Sequence, residues 1–540
     1  MWPATFRPDK MTLDCSPDAF PVPGKADARA WRASLFQHLD GLALTILCPV
    51  LKERGVLDAF SGTEQVDVDA LAHKLGANAG YLNVACRLLA SQGWLERDAS
   101  NDRVRFRRSD KAGWDEWLAL TDSISPARHW LACAEGMWYR PDSAWTEEDA
   151  AVWAAAAQLL EDVRGTAWAS HVEGALVAPW LVSIGTAHGT AAIVDWGGVD
   201  RALDAMHPSR REAAKGALED LGFLGTDRGA FFLARAAAFG VTTSYTRTFL
   251  WAEELLFGDG GHLWRTAPGD AEIHVDRTLN VWGSGGAHGA YFRHLDEVVR
   301  SIFDAPLEGQ PKGLCDMGCG NGALLLHLEA FIRKETLRGQ HLDTHPLVLV
   351  GADFNQAALD ATAEHFAQEG VAGHFLWGDI GDPDRLDRDL QSAHGVALGE
   401  LLNVRSFLDH NRVFNRPVVA REGWAETTGA YAFRGERLLA RDVQQSLREH
   451  FEKWHPHVAR FGLLVIELHT MSPAEAAERH GRMPATAYDA THGFTDQYIV
   501  EVPVFDAMAA EAGLRKVEAL SRTFPRDLPA TVSLRYFLGA

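Results

Sequence analysis

The run Leu314-Cys-Asp-Met-Gly-Cys-Gly-Asn-Gly322 decides the fold of the C-terminal half of the chain. It lies between a short apolar stretch and an amphipathic segment over residues 323–332, which predicts a strand, a tight turn and a helix. Gly318, Gly320 and Gly322 let the backbone turn tightly and approach a ligand that any Cβ atom would keep away. The run therefore predicts a nucleotide-binding loop at the carboxyl end of a first strand.

The acidic residue Asp316 in this run distinguishes between nucleotide ligands. A carboxylate would repel a pyrophosphate, whereas it can contact the cationic amino-acid end of S-adenosylmethionine. We therefore predict that the loop binds S-adenosylmethionine rather than a dinucleotide.

Short apolar strands alternate with helices on both sides of the glycine run. The predicted strands cover residues 313–316, 347–353, 374–379, 395–400, 462–467 and 531–538. This alternation predicts a doubly wound parallel sheet in an α/β Rossmann-like domain. We place that domain at residues 271–540, with its boundary in the Gly- and Pro-containing loop at 266–271.

Further candidate cofactor ligands follow the predicted strands. Asp353 ends the second strand, Asp379 and Ile380 follow the third, and Glu400 ends the fourth. Ligands of such sheets bind beyond the carboxyl ends of the strands, where Asp353 can accept ribose hydroxyls and Asp379 can face adenine. Each acid has an alternative role as a helix N-cap.

The N-terminal part carries helical patterns. Apolar residues at helical spacing over residues 31–60, interrupted by Pro49, predict a helix that bends or restarts there. Helices at 68–76 and 81–93 precede a predicted hairpin, which is typical of a winged-helix unit. We assign residues 1–120 to this domain and predict a homodimer through the first helix, whose apolar stripe its own small domain cannot cover.

A weaker second copy lies about 129 residues later. Residues 216–226, leading to Ala230-Phe-Phe-Leu, repeat the pattern of residues 87–97 leading to Val104-Arg-Phe. The spacing predicts a second winged-helix-like unit in a helical cap at residues 121–270. We favour a scaffold over a DNA-binding role for both units, because the chain is acidic.

The charge balance excludes some partners. With 52 Lys and Arg against 73 Asp and Glu, the net charge is −21, which disfavours nucleic acid. We predict a small-molecule substrate. Neither a bilayer-spanning apolar run nor a secretory leader is recognised, so we expect a cytoplasmic protein without a membrane partner.

Several segments outside the glycine run are similar to one family. The stretches Arg277-Thr-Leu-Asn-Val-Trp-Gly-Ser-Gly-Gly-Ala-His-Gly-Ala-Tyr-Phe292, Asp409-His-Asn-Arg412, Ile466-Glu-Leu-His469 and Thr491-His-Gly-Phe-Thr-Asp-Gln497 resemble the mononuclear-metal-dependent C-methyltransferase domains of polyketide synthase loading modules. The resemblance implies that His410 and Gln497 hold an iron or manganese ion. It also implies C-methylation of a substrate that is either free or bound to a carrier protein.

The same region leaves several chemical roles open. His410 can be a metal ligand or a general base, and Arg412 is a competing source of positive charge. His469 and His492 can each line the pocket or cap a turn. In the pocket, His469 would be a catalytic residue and His492 a third metal ligand. Asp409 can equally bind metal or orient its neighbours.

Three classes of function fit these residues. The first is a metal-assisted C-methyltransferase acting on a malonyl-like or 2-oxo acid. The second is a metal-free O- or N-methyltransferase with His410 as the base. The third is a winged-helix regulator that senses S-adenosylmethionine. The intact glycine run and the acidic charge disfavour the third.

Overall fold

The computed structural model describes residues 19–100, 102–189, 191–265, 272–419, 421–526 and 529–540, apart from the side chains of 286–290. These residues form two compact units. The first unit ends its main segment at Ala287 and also includes Ala432–Arg437 and Ser472–Thr495. The second unit comprises His288–Tyr431, Leu438–Met471 and Asp496–Ala540.

Helices account for most of the regular structure in the described residues. The helices of the first 265 residues are α1 (Lys25–Glu53), α2 (Val68–Leu75), α3 (Ala79–Ser91), α4 (Trp114–Thr121), α5 (Ser125–Ala134), α6 (Glu147–Asp162), α7 (Ala169–Ala187), α8 (Trp196–Asp204), α9 (Pro208–Asp220), α10 (Asp227–Leu233), α11 (Ala237–Ser244), α12 (Thr246–Leu250) and α13 (Ala252–Phe257). The later helices are α14 (Arg277–Phe303), α15 (Ala323–Glu335), α16 (Gln356–Glu369), α17 (Pro383–His394), α18 (Ala440–Val458), α19 (Pro473–Glu478), α20 (Ala485–Gly493) and α21 (Val502–Glu511).

The strands form three sheets. They are β1 (Val66–Asp67), β2 (Leu95–Ser100), β3 (Arg103–Arg108), β4 (Gly313–Met317), β5 (Val348–Asp353), β6 (His374–Trp377), β7 (Leu402–Ser406), β8 (Ala432–Phe433), β9 (Glu436–Arg437), β10 (Leu463–Leu468), β11 (Leu514–Lys516), β12 (Arg522–Phe524) and β13 (Val532–Gly539). The three short strands β1 to β3 pair in the first unit, as do β8 and β9.

The large sheet of the second unit has the order β11-β13-β10-β7-β4-β5-β6, with β12 paired to β13. Strands β6, β5, β4, β7 and β10 are parallel, whereas β13 is antiparallel to its neighbours. The predicted Rossmann-like α/β domain is confirmed. The prediction of an all-parallel sheet is wrong for the last strand.

The fourth predicted strand is displaced by several residues. Residues 395–400 were expected to form it, but the strand is β7, and Glu400 lies in a short 3-10 turn before it. Strand β7 contains the buried polar residues Asn403 and Arg405. These side chains interrupt the apolar run that identifies a buried strand, so the sequence pattern points to the wrong segment.

The helix, turn, helix and hairpin predicted near the N-terminus are present. Helices α2 and α3 precede the β2-β3 hairpin, and β1 pairs with β3. The predicted second copy is wrong in its hairpin, because Ala230-Phe-Phe-Leu lies in α10 and no strand occurs in the described residues between β3 and β4. The Thr226 hydroxyl accepts a hydrogen bond from the Gly229 amide, which caps a helix there.

The compact units do not coincide with the predicted domains, whose boundaries stay a prediction. The loop at 266–271 lies outside the described residues, and the units divide at Ala287, within α14. The predicted split near residue 120 lies within the first unit, which contains both flanking regions. Segment Ser472–Thr495 joins this unit too, because the Ala487 amide donates to Asp40 and Asp489 pairs with Arg87.

Helix α1 is the central helix of the first unit. It runs through Pro49 to Glu53 without restarting. Its predicted apolar stripe, formed by Leu35, Leu39, Leu42, Ile46 and Val50, is buried within this chain. α1 is long and apolar enough to cross a membrane by length and composition, but most of its apolar window is buried. The surface that favoured a homodimer is therefore already covered, and homodimerisation stays a prediction.

Paired glycines set the close approach of α1 and α7. A Cβ atom added at Gly41 would lie 2.2 Å from the His171 carbonyl oxygen, and one added at Gly174 would lie 2.2 Å from the His38 Cα atom. Both contacts are with backbone atoms, which cannot rotate away as a side-chain tip can. The two helix backbones are therefore packed as closely as glycine allows.

We expect Gly174→Val to destabilise the protein by more than about 3 kcal/mol, because α7 would have to move away from α1 and open the core between them. The measurement is the midpoint of urea unfolding followed by circular dichroism. Gly216→Val is the matched control, since Gly216 is also helical but a Cβ there has no neighbour within 4 Å. Equal midpoints for the two variants would contradict the close packing.

Candidate active site

The glycine loop after β4 has the conformation that the sequence predicts. Gly318, Gly320 and Gly322 all have positive φ, at 80°, 58° and 76°. A Cβ at Gly318 would lie 2.9 Å from Leu408, whereas a Cβ at Gly320 would meet nothing within 4 Å. The loop therefore packs against the segment that carries His410 on one side and leaves open space at Gly320 on the other.

Asp316 lies at the carboxyl end of β4 and is buried. Its Oδ1 has no hydrogen-bond partner among the described residues. Burial, and then the nearby charge of Asp353, raises the pKa of the Asp316 carboxyl well above its ordinary value. A buried carboxylate without a partner is unfavourable, so this position favours a cationic ligand.

Asp353 and Asp379 lie at the same edge of the sheet, as predicted. The Asp353 carboxylate accepts hydrogen bonds from the amides of Gly320, at 3.1 Å, and Asn355, at 2.9 Å. Asp379 accepts one from the Gly381 amide at 2.8 Å. Neither acid is a helix N-cap. The N-caps of the helices that follow them, α16 and α17, are Asn355 and Asp382.

Ile380 and Glu400 have different positions relative to this edge. Ile380 is buried, and its carbonyl accepts a hydrogen bond from the Trp454 indole at 2.8 Å, which holds the loop after β6. Glu400 precedes β7 and pairs with Lys312 at 2.6 Å, at the amino ends of the strands. This hydrogen bond lowers the pKa of Glu400. The predicted cofactor role of Glu400 is wrong, because the parallel strands point away from it.

His410 forms a buried pair with Glu467, a residue to which the sequence assigned no role. The His410 Nδ1 lies 2.5 Å from the Glu467 carboxylate, which also accepts the His410 amide at 3.1 Å. The two residues follow β7 and end β10, which are adjacent parallel strands. The carboxylate orients the ring and places the Nδ1 proton between the two groups, so Nε2 carries the lone pair.

A buried ion pair holds the turn that carries His410. Asp409 is 3.0 Å from both the Arg405 guanidinium and the His450 Nε2. Burial alone would raise the pKa of Asp409, but Arg405 and His450 outweigh it and hold the pKa below its ordinary value. Asp409 therefore orients its neighbours, which is one of its two predicted roles.

Arg412 is bonded to the main chain around this turn. Its guanidinium donates to the carbonyls of Asp409, at 3.0 Å, and Val443, at 3.2 Å, and burial lowers its pKa to about 10. These bonds use its two terminal nitrogens to fix the turn. The role of Arg412 as a source of positive charge for the methyl acceptor stays a prediction. Its bonds to the main chain are the alternative role.

A backbone hydrogen bond joins the segment that carries Gln497 to His410. The Tyr498 amide donates to the His410 carbonyl at 2.8 Å, and the Gln497 side chain is buried. Phe407 and Asp496, which flank the two segments, have positive φ values of 55° and 53°. Non-glycine residues in this region of φ are strained, and such strain is concentrated at functional sites.

His492 belongs to α20 in the first unit, whereas His410 and Gln497 belong to the second. The His492 Nδ1 lies 2.7 Å from the Tyr488 carbonyl and 3.0 Å from the Thr491 hydroxyl. This is a capping arrangement within α20. A ligand role for His492 therefore stays a prediction that its local contacts do not support.

His469 is held on both sides of its ring. Its Nδ1 is 3.0 Å from the Val500 carbonyl and its Nε2 is 2.7 Å from the Ser533 hydroxyl. Burial lowers its pKa to about 4. The structure thus gives His469 a role in joining β10 to its neighbours, and both ring nitrogens are already used.

We expect His469→Asn to destabilise the protein at neutral pH, with a difference from the native chain that shrinks as the pH falls from about 6.5 toward 4. The native pKa is below that of the unfolded chain, so the neutral ring stabilises the fold by about 3 kcal/mol above pH 6.5 and this is lost in acid. Urea unfolding at several pH values measures it. A constant difference across that range would contradict the assignment.

The residues at the strand ends fit S-adenosylmethionine. Asp316 offers a buried carboxylate oxygen without a described partner to the cationic amino-acid end, and Gly320 leaves room for the ligand. Asp353 and Asp379 lie at the carboxyl ends of β5 and β6, where ligands of such sheets bind, and their contacts with ribose and adenine stay predictions. With the order of the sheet, these features define a class I S-adenosylmethionine-dependent methyltransferase.

Comparison with sequence families gives the same class. Residues 272–535 match the family described as the AprA MT2-like domain, and residues 31–97 match the AprA N-terminal domain. No curated protein matches the chain. The enzyme is thus a methyltransferase whose C-terminal domain is similar to the AprA MT2-like domain.

Solved structures of other methyltransferases are more distant. The CurJ carbon methyltransferase is 11% identical with a TM-score of 0.40, covering 93% of this chain and 92% of that chain. The DszA carbon methyltransferase is 12% identical with a TM-score of 0.33, covering 97% and 99%. An O-methyltransferase family 2 protein from Planctomyces limnophilus, in complex with apigenin, is 12% identical with a TM-score of 0.37, covering 97% and 99%.

Proposed function

We propose that the enzyme transfers a methyl group to carbon in a small malonyl-like or 2-oxo acid substrate, either free or bound to a carrier protein. The pair formed by His410 and Glu467 carries the proposal. It lies at the carboxyl ends of β7 and β10, and its turn packs against the glycine loop through Leu408. An oriented imidazole at this position can act on the carbon that receives the methyl group in one of two ways, by holding the ion that acidifies this carbon or by removing its proton. The single lone pair at Nε2 serves one of these roles at a time.

The donor set around His410 fits the divalent ion that we propose as an aid to this reaction. His410 offers an imidazole nitrogen whose orientation Glu467 fixes. Gln497, a buried residue next to the Tyr498 amide that donates to the His410 carbonyl, would offer an amide oxygen. Such nitrogen and oxygen donors suit iron or manganese. A bound ion would supply positive charge beside the enolate oxygen that forms when the substrate carbon loses its proton.

Residues around His410 fix the turn that carries it. The buried Asp409 and Arg405 pair fixes the turn, and Arg412 holds it to α18 through the Val443 carbonyl. His410 is therefore oriented before the substrate binds. A preoriented imidazole in a buried site requires little rearrangement during the reaction.

A metal-free O- or N-methyltransferase is the second candidate, and the same contact favours it. The buried Glu467 carboxylate fixes the orientation of the His410 ring and leaves Nε2 as the nitrogen that can accept a proton from the substrate. In this case His410 removes a hydroxyl or amine proton and Gln497 has no essential part.

The two candidates differ in product and in metal dependence. We would incubate the full-length enzyme with ¹³C-methyl-labelled S-adenosylmethionine and a panel of malonyl, 2-oxo acid, phenol and amine substrates, with chelator and with added Fe²⁺ or Mn²⁺. Carbon-bound label, lost with chelator and restored by metal, is expected. Label on oxygen or nitrogen that is insensitive to chelator would replace C-methylation with the second candidate.

A further inference from the structure

A second group of metal-ligating side chains lies in the first unit. It comprises Asp40 on α1, His171 on α7 and His480 after α19. One carboxylate oxygen of Asp40 and one ring nitrogen from each histidine lie within 4.8 Å of one another. The three residues are far apart in the sequence and have no part in the methyl-transfer site described above.

His171 presents an imidazole nitrogen to this cluster. The residue is only 5% exposed, and its Nε2 has no hydrogen-bond partner among the described residues. Its Nδ1 lies 3.2 Å from the Ala167 carbonyl, so Nδ1 carries the proton and Nε2 the lone pair. Burial lowers the pKa of the ring to about 3, which keeps it neutral. A buried nitrogen without a partner is unfavourable unless something binds it.

Asp40 brings a carboxylate into the same space. It is 2% exposed, and its described partners are neutral groups, the Ala487 amide and the Gln92 side-chain amide, each at 2.9 Å. Burial raises its pKa to about 7. A cation bound next to it would favour the ionised carboxylate.

Gln92 connects the carboxylate to the third member. Its Oε1 accepts a hydrogen bond from the His480 Nε2 at 2.8 Å, while its Nε2 donates to Asp40. The His480 Nδ1 then carries the lone pair and accepts from the Gln37 side-chain amide at 3.3 Å, a bond that an ion at this nitrogen would replace. Such an amide can orient ligands from outside a metal site. The opposing charge is Lys111, whose Nζ donates to the Gln92 carbonyl at 2.7 Å. Burial is the main cause of the lowered pKa of both histidines, and repulsion by Lys111 adds to it.

We propose that Asp40, His171 and His480 form a Zn²⁺ site that joins α1, α7 and the segment after α19. Two imidazoles and a carboxylate are a ligand set typical of zinc, with water in the fourth position. Bonds of about 2.1 Å would place tetrahedral ligands roughly 3.4 Å apart, which the side chains reach by shifts of about 1 Å. The ion binds the His171 nitrogen and balances the charge of the Asp40 carboxylate.

The test uses full-length protein carrying His410→Ala, so that an ion at the methyl-transfer site does not contribute. After chelator treatment, this protein is titrated with Zn²⁺, and with Co²⁺ followed by absorbance. We expect about one equivalent of Zn²⁺, a tetrahedral Co²⁺ spectrum and a rise in the unfolding midpoint with Zn²⁺. Adding His171→Gln or Asp40→Asn should remove all three signals.

His73→Gln is the matched control, since His73 is an exposed histidine of the same unit and should leave metal binding unchanged. Lys111→Met removes the repelling charge and should tighten Zn²⁺ binding. If a ligand variant fails to fold, Lys111→Met still tests the site. Absence of Zn²⁺ uptake in the folded parent, or unchanged uptake with His171→Gln, would overturn the proposal.

Discussion

Gly320→Val is expected to abolish S-adenosylmethionine binding while the protein stays folded. A Cβ at Gly320 meets no protein atom within 4 Å, so the added side chain would occupy space that the ligand needs. Isothermal titration calorimetry measures the affinity. A valine at position 320 would also be strained by the positive φ of this residue. The control variant must therefore carry the same backbone strain.

Gly395→Val provides this control, because Gly395 has a φ of 67°, open space around its Cβ position and a place at the end of α17. It should lose stability to a similar extent yet keep its affinity for S-adenosylmethionine. Loss of binding in both variants would show that strain, rather than occupation of the cofactor space, explains the result.

Asp316→Asn should weaken the same affinity roughly 10- to 100-fold, since a charged hydrogen bond to the ligand is lost. In the native enzyme the affinity should fall as the pH is lowered through the raised pKa of Asp316, because protonation removes the charge that the ligand needs. The variant should lack this dependence. Asp360→Asn, an exposed change on α16, is the control.

Glu467→Gln is expected to reduce turnover roughly 10²- to 10⁴-fold while S-adenosylmethionine affinity is retained. The amide keeps the shape of the side chain but removes the charge that orients His410. Single-turnover methyl transfer and calorimetry give the two quantities. His410→Ala should have a loss of similar size, and the double variant should be little worse than either single one.

His457→Gln is the matched control, because His457 also pairs with a carboxylate, that of the exposed Asp384 at 2.7 Å. It should leave turnover within about twofold of the native rate, as expected for a surface ion pair. Additive losses in the His410 and Glu467 variants would mean that the two residues do not act as a unit.

Much of the second unit could be predicted from its sequence. The glycine run, the acid that precedes its first glycine and the strands around residues 313, 348, 463 and 532 produce local signals, since backbone conformation and strand burial depend on nearby residues. Asp316, Asp353 and Asp379 were predictable for the same reason. In an α/β sheet the carboxyl ends of parallel strands meet at one edge.

The sequence by itself thus determined the fold of the methyltransferase domain and its cofactor edge, while the tertiary structure alone decided the contacts between distant segments. Glu467 pairs with His410, which lies 57 positions away in the chain. Glu400 lies at the opposite edge of the sheet from its predicted position, because the polar residues of β7 made the sequence pattern indicate the wrong strand. Asp40 and His171 come together because two glycines let α1 and α7 pack closely. Such pairings depend on packing between elements, which neither local propensity nor residue spacing encodes.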